Sequence, residues 1–142
     1  MLARTRAASI LATLVAVSSC QWAGDTKAVR VPFREVKQRV EEAHSSLAAA
    51  VEDGSVEDVP ALDQALNAEL DAAMGQSSAM NLLDREHLSI NVATARRCLT
   101  DMDRYAQSGD VELLRAQFHQ LEPTMAEIEV LLDRAERTTT AK

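Results

Sequence analysis

The chain has 142 residues, a formal net charge of −7, 46% hydrophobic residues and only 3% aromatic residues. A chain of this length can bury the core of one domain, and its acidic balance argues against binding nucleic acid or anionic lipid through charge. Two cysteines are too few for a disulfide framework, and the scarcity of glycine and aromatic residues favours helices packed on helices.

The first twenty residues are organised like an export signal. Arg4 and Arg6 precede an apolar stretch from Ala7 to Val17, and the sequence Val17-Ser18-Ser19-Cys20 follows. The apolar stretch is too short for a permanent transmembrane helix, which favours a signal that is cleaved. The segment resembles the signal peptide and lipobox of bacterial lipoproteins, with a plain secretory signal cleaved nearby as the alternative.

The resemblance implies that residues 1–19 are removed and that Cys20 carries a diacylglycerol, often with a further acyl group on its new amino terminus. Removal of Arg4 and Arg6 would change the net charge from −7 to −9 in the remaining chain. Gln21 stands where an aspartate would favour the inner membrane, so the same resemblance implies an outer-membrane protein that faces the periplasm. Residues 20–31 lack periodicity and are predicted to tether this anchor to the body, which leaves Cys98 without an intramolecular disulfide partner.

Four stretches with helical spacing follow within residues 32–137. Pro32 and Pro60 suit the first turns of helices one and two, and Glu52-Asp53-Gly54-Ser55 is predicted to form the turn between these helices. Gly75 is expected to end helix two, and Ser77 or Ser78 to cap helix three. The run Ser108-Gly109-Asp110 supplies a stop for helix three and a cap for helix four, and residues 138–142 are expected to fray. The predicted helices are about 32–52, 59–75, 77–107 and 110–137.

Short turns between these amphipathic helices predict an all-α fold, an antiparallel up-down-up-down four-helix bundle with a longer second hairpin. Pro123 is expected to bend helix four, because its ring clashes with the carbonyl of His119. Helix four has the clearest apolar face, formed by Leu114, Phe118, Leu121, Met125, Ile128, Leu132 and Ala135.

The longer second hairpin should extend past the first and leave apolar side chains at its end uncovered. These are predicted to bind an envelope protein or a second copy of the chain. The alternative is that the two helices and the loop from Glu52 to Asp58 hide them. The predicted partner-binding residues are Leu99, Met102, Tyr105, Val111, Leu114 and Phe118.

Helix three has a mixed inward face by the same spacing argument, which raises the possibility of a metal site. Cys98 and Met102 lie one turn apart and offer soft sulfur ligands for copper. His44 and His87 each follow an acid by three residues, the spacing used in dinuclear iron bundles, with Glu69 and Glu129 at similar heights. A haem held by His or Met is the third possibility, so the candidate metal ligands are His44, His87, Cys98 and Met102. The predicted inward face consists of Met80, Leu83, His87, Thr94, Cys98 and Tyr105.

No phosphate-binding glycine loop, nucleophile elbow or zinc protease motif occurs in the chain. We therefore expect a protein without enzymatic activity that is held at the cell envelope by lipid and binds a protein partner or acts as a scaffold. The alternative is a small periplasmic carrier of copper, iron or haem.

Overall fold

A computed structural model of the protein describes residues 31–141. They form α1 (Phe33–Asp53), α2 (Val59–Gln76), α3 (Leu82–Ser108) and α4 (Val111–Thr140), with a 3₁₀ turn at Ser77–Ala79. The predicted all-α class is confirmed for this part of the chain, which contains no strand. Cys20, the predicted signal and nearly all of the predicted tether lie outside the described residues.

The turns predicted around Gly54 and Gly109 are confirmed. Gly54 has φ 73° and Gly109 has φ 71°, the left-handed region that other residues enter only with strain. Asp110 then caps α4, because its Oδ1 accepts a hydrogen bond from the Leu113 N–H at 3.1 Å.

The boundary between α2 and α3 differs from the prediction. α2 continues through Gly75, and the 3₁₀ turn occupies the place of the expected serine cap. The cap is Asn81, whose Oδ1 accepts a hydrogen bond from the Asp84 N–H at 2.9 Å. Serine and asparagine are comparable caps, so local sequence alone does not select between them. At the other end of the chain, α4 continues to Thr140, three residues beyond its expected end.

The four helices enclose one hydrophobic core. Each helix packs against the next one in the chain, and α1 also packs against α4. The predicted apolar face of α4 is confirmed, since all seven of its members are buried. The largest fully buried side chains are Leu47, Leu66, Leu70, Leu88, Leu99, Met102, Leu114, Leu121, Met125, Ile128, Leu132 and Val36.

The predicted inward face of helix three is only partly correct. Cys98 is buried, and Met80 and Tyr105 pack against the core. Leu83, His87 and Thr94 are exposed, and their neighbours Asp84, Leu88 and Ala95, one residue further along the chain and rotated by about 100°, are buried in their place. The buried face begins with Asp84, so it did not stand out as apolar. The buried residues of α3 are Asp84, Leu88, Val92, Ala95, Cys98, Leu99, Met102 and Ala106.

Side-chain contacts define two ends of the bundle. At one end, which we call the base, the Arg34 N–H donates to Glu136 Oε2 at 3.2 Å and Arg134 Nη1 donates to Asp84 Oδ1 at 2.6 Å. The base comprises residues 31–38, 74–87 and 133–141. At the other end, the tip, Arg115 Nη2 donates to the Glu52 carbonyl at 3.1 Å. The tip comprises residues 50–62 and 101–116.

The tip does not present the uncovered apolar surface that the sequence predicted. Leu99, Met102 and Leu114 are buried, and Phe118 is only 5% exposed. The connection between α1 and α2 covers this end, because its Val56 packs against the core. The expected exposure is therefore wrong for these four side chains, whereas Tyr105 and Val111 are partly exposed.

An ion pair between buried Asp84 and half-exposed Arg134 links α3 to α4 at the base, and it leads to a first prediction. Asp84 is 3% exposed and accepts hydrogen bonds from Arg134 and from Asn81 Nδ2. Arg134→Ala leaves this buried carboxylate short of one partner, so we expect the free energy of unfolding to fall by about 2 kcal/mol. Arg137→Ala, an exposed site on the same helix, should change it by less than about 0.5 kcal/mol in urea titrations. Equal losses in the two variants would show that the pair is not stabilising.

Candidate functional site

A surface cavity of about 350 Å³ opens between α1 and α4 on the side of the tip. Val51 and Phe118 supply its apolar lining, and four polar side chains surround them. His119 Nδ1 lies 2.9 Å from Glu122 Oε2, and Arg115 holds the carbonyl of Glu52. The arrangement combines apolar contact with charges of both signs, which suits a side chain of a peptide or protein partner. The lining consists of Val51, Glu52, Arg115, Phe118, His119 and Glu122.

His44 lies behind this cavity on α1. Its ring stacks on Phe118 with centroids 5.5 Å apart and planes inclined by 29°. Nε2 of His44 is buried and has no hydrogen-bond partner within the described part of the chain. Burial lowers the pKa of His44, while the Glu122 carboxylate acts in the opposite direction. The imidazole is therefore held in its neutral form and acts mainly as a packing group beneath the cavity.

Two carboxyl groups face each other between α2 and α3. Asp63 is 1% exposed, and both of its oxygens lack a donor from any described residue. Burial raises the pKa of Asp63 to about 8, and the charge of Asp103 and a hydrogen bond to it add to the shift. Asp63 therefore keeps its proton at neutral pH.

Sequence reasoning missed Asp63 although a signal was present. Helical spacing predicts an apolar face of helix two from Val59, Leu62, Leu66, Leu70 and Ala73. All of these except Leu62 are fully buried, and the structure adds Asp63 to the same face. Asp63 is four residues after Val59 and three before Leu66, which is the spacing of a core position. Sequence reasoning does not assign an acidic residue to the core unless a partner such as Asp103 is known.

The structure separates the candidate metal ligands. His44 lies beside α4, His87 is exposed on α3, and Cys98 and Met102 are buried on the inner face of α3. Residues 31–141 contain no group of three or more His, Cys, Asp or Glu side chains that could hold a metal ion. Binding of copper, iron or haem stays a prediction.

The acids expected to complete a dinuclear site have other contacts. Glu69 lies 3.2 Å from Arg39 Nε, and Asp84 pairs with Arg134. Burial raises the pKa of Glu129, and the carboxylate of Glu41 adds to the shift. Arginine pairing of this kind competes with a cation for the same carboxylates.

Charge is distributed unevenly along the bundle. The tip contains eight acidic and two basic side chains, whereas the base contains five of each. The acids of the tip are Glu52, Asp53, Glu57, Asp58, Asp101, Asp103, Asp110 and Glu112, and its basic residues are Arg104 and Arg115. A positively charged partner is therefore attracted to the tip and not to the base.

Comparison with known proteins finds no matching family model, no matching curated protein and no matching solved structure. None of the helices in the described residues combines the length and the apolar character needed to cross a bilayer.

Proposed function

We propose that this chain is a lipid-anchored helical bundle of the cell envelope that binds a protein partner through its tip and serves as an interaction or scaffold module. The observation that carries the proposal is the uneven charge, with a strongly acidic tip and a balanced base. The lipobox pattern supplies the anchor at Cys20, and its resemblance favours the periplasmic face of an outer membrane.

The proposed topology is an antiparallel up-down-up-down bundle. Contacts between α1 and α4 support it, because Arg34 lies beside Glu136 and Lys37 beside Asp133, whereas Glu52 lies beside Arg115. Residues later in α1 thus contact residues earlier in α4. In this topology the described chain enters at the base, and the tip is the end most distant from the anchor.

The proposed partner is a positively charged segment with one apolar side chain. Such a side chain would enter the cavity against Phe118, while lysine or arginine residues would contact the acidic side chains around it. Of the six residues predicted to bind a partner, Phe118 lines the cavity and Tyr105 and Val111 are partly exposed. Leu99, Met102 and Leu114 would support this surface from the core. A second copy of the same chain is disfavoured at the tip, since two acidic tips repel each other.

The anchor is tested by growing cells with radiolabelled palmitate and measuring the mass of the N-terminal peptide. Wild type should incorporate label and Cys20→Ala should not. An unlabelled wild-type protein with an intact initiator methionine would reject the envelope assignment.

Charge reversal tests the tip. Glu52→Lys combined with Glu112→Lys should lower recovery of the partner by on the order of tenfold when the full-length lipidated protein is captured at low salt. The matched control is Glu35→Lys combined with Glu86→Lys, which makes the same change in net charge at the base and should leave recovery unchanged. Quantitative mass spectrometry of the captured proteins provides the measurement. Equal losses for both pairs would indicate a general effect of net charge and contradict the proposal.

A further inference from the structure

Two adjacent leucines are exposed at the base. Leu82 is 61% exposed and Leu83 is 59% exposed in the first turn of α3, where Asn81 and Asp84 fix the backbone. Adjacent exposed leucines on a rigid helix end are unfavourable in water unless something covers them.

A cavity of about 240 Å³ opens at the same end. Its apolar lining comes from Val31, Pro32, Phe33 and Ala79, and its polar lining comes from Gln76, Glu136, Thr139 and Thr140. The two leucines are the most exposed large apolar side chains at the base, whereas at the tip the exposed Leu113 and the cavity beside Phe118 stand among an excess of acids.

The difference in charge between the two ends also favours contact of the base with a membrane. The base has five acids and five basic side chains, so it carries no formal charge, whereas the tip has six more acids than basic side chains. An anionic bilayer repels the tip and exerts no such force on the base. The net negative charge of the whole chain opposes contact with an anionic membrane, but the base carries no net charge and is not subject to this repulsion.

The position where the described chain begins adds a geometric argument. Val31 lies at the base and follows Cys20 by eleven residues, a span of at most about 40 Å when fully extended. α4 is about 45 Å long, so an anchor at Cys20 reaches a base on the membrane easily and a tip on the membrane only with difficulty.

We infer that the base rests on the phospholipid surface, with Leu82 and Leu83 inserted at the level of the headgroups and the tip directed away from the membrane. This inference rests on the proposed lipid anchor and adds to it a fixed orientation of the bundle. The acyl groups hold the protein, and the leucines determine which end faces the bilayer.

The test uses the full-length lipidated protein with one fluorophore, attached through Leu83→Cys or, as the matched control, through Leu113→Cys. Leu113 is 47% exposed at the tip, about 30 Å away along the bundle. Cys98 is 8% exposed and should react slowly, and a Cys98→Ala background confirms selective labelling. The proteins are placed in phosphatidylethanolamine and phosphatidylglycerol vesicles whose acyl chains do or do not carry bromine, a short-range quencher.

Quenching by bromine should be at least about threefold stronger at position 83 than at position 113, because interfacial insertion reaches only about 5–10 Å into the bilayer. Equal quenching at both positions, with Cys20 acylated by mass spectrometry, would overturn this inference and leave the anchor intact. A blue shift at position 83 without bromine quenching would overturn it in favour of cover by a second copy. Absence of acyl groups from Cys20 would overturn the proposed function and this inference together.

Discussion

Asp63→Asn should make the protein more stable at neutral and alkaline pH and remove most of the dependence of its stability on pH between about 4 and about 8. The folded chain keeps a proton on Asp63 up to a pKa of about 8, whereas the ordinary value is 3.8. Between these values the folded state binds one more proton than the unfolded state, so the free energy of unfolding falls as pH rises.

The expected contribution is about 1.4 kcal/mol per pH unit, or on the order of 5 kcal/mol across the window. This contribution is a large fraction of the total free energy of unfolding of a typical domain, which is about 5 to 15 kcal/mol. Asparagine stays neutral and its Nδ2 can donate to the Asp103 carboxylate, so the variant should match wild type near pH 4 and exceed it near pH 8. Urea titrations at a series of pH values measure the difference.

Two variants sharpen this test. Asp58→Asn removes an exposed acid whose side chain makes no capping bond to α2, so its pH dependence should follow wild type. Asp103→Asn removes the facing charge but leaves Asp63 buried, so the pKa of Asp63 should fall and still exceed its ordinary value, because burial is the largest cause of the shift. If Asp63→Asn retained the slope of the wild-type protein, the proton that the folded state keeps up to about pH 8 would have to be assigned to another group.

Phe118→Ala should lower the free energy of unfolding by about 3 to 4 kcal/mol, because it removes a buried aromatic ring and enlarges the cavity beside it. The same change exposes His44, whose pKa is lowered mainly by burial, so that pKa should rise towards 6.5. Chemical denaturation gives the first quantity, and NMR titration of the imidazole gives the second.

Leu113→Ala is the control for Phe118→Ala. Leu113 is nearly half exposed on the same helix, so its truncation should change stability by less than about 0.5 kcal/mol and leave the His44 titration unchanged. A stable Phe118→Ala protein with an unaltered His44 pKa would contradict the packing described for the cavity. Partner binding at the tip should therefore be tested with the Glu52→Lys and Glu112→Lys charge changes and not with Phe118→Ala, because the charge changes leave this core intact.

Local rules predicted most of the fold from the sequence. Gly54, Gly109 and Asp110 marked turns and a cap correctly, since a left-handed glycine and an N-cap acid are determined by neighbouring residues. The face of α4 was also correct, because one continuous set of apolar residues repeats at threes and fours.

Helical spacing predicted most of the face of α2 but missed Asp63, and it misplaced the first half of the face of α3. Each includes a buried acid whose presence depends on a residue far away in the chain, Asp103 for Asp63 and Arg134 for Asp84. Leu83 lies on the exposed side of α3, and its apolar side chain led to the prediction that this side faces the core. Helical spacing carries no information about such distant partners, so the carboxyl pair and the cavity beside Phe118 required three-dimensional coordinates.

Because Cys98 is buried, the rate at which its thiol reacts reports how often the packing around α3 opens. Under the proposed acylation of Cys20, Cys98 is the one remaining thiol of the chain, and its reactivity rises when the packing around α3 loosens. A membrane-impermeant alkylating reagent would thus label the protein at a rate set by the opening equilibrium and not by reagent access to the surface. Labelling of the protein in whole cells can then be compared directly with unfolding of the purified protein.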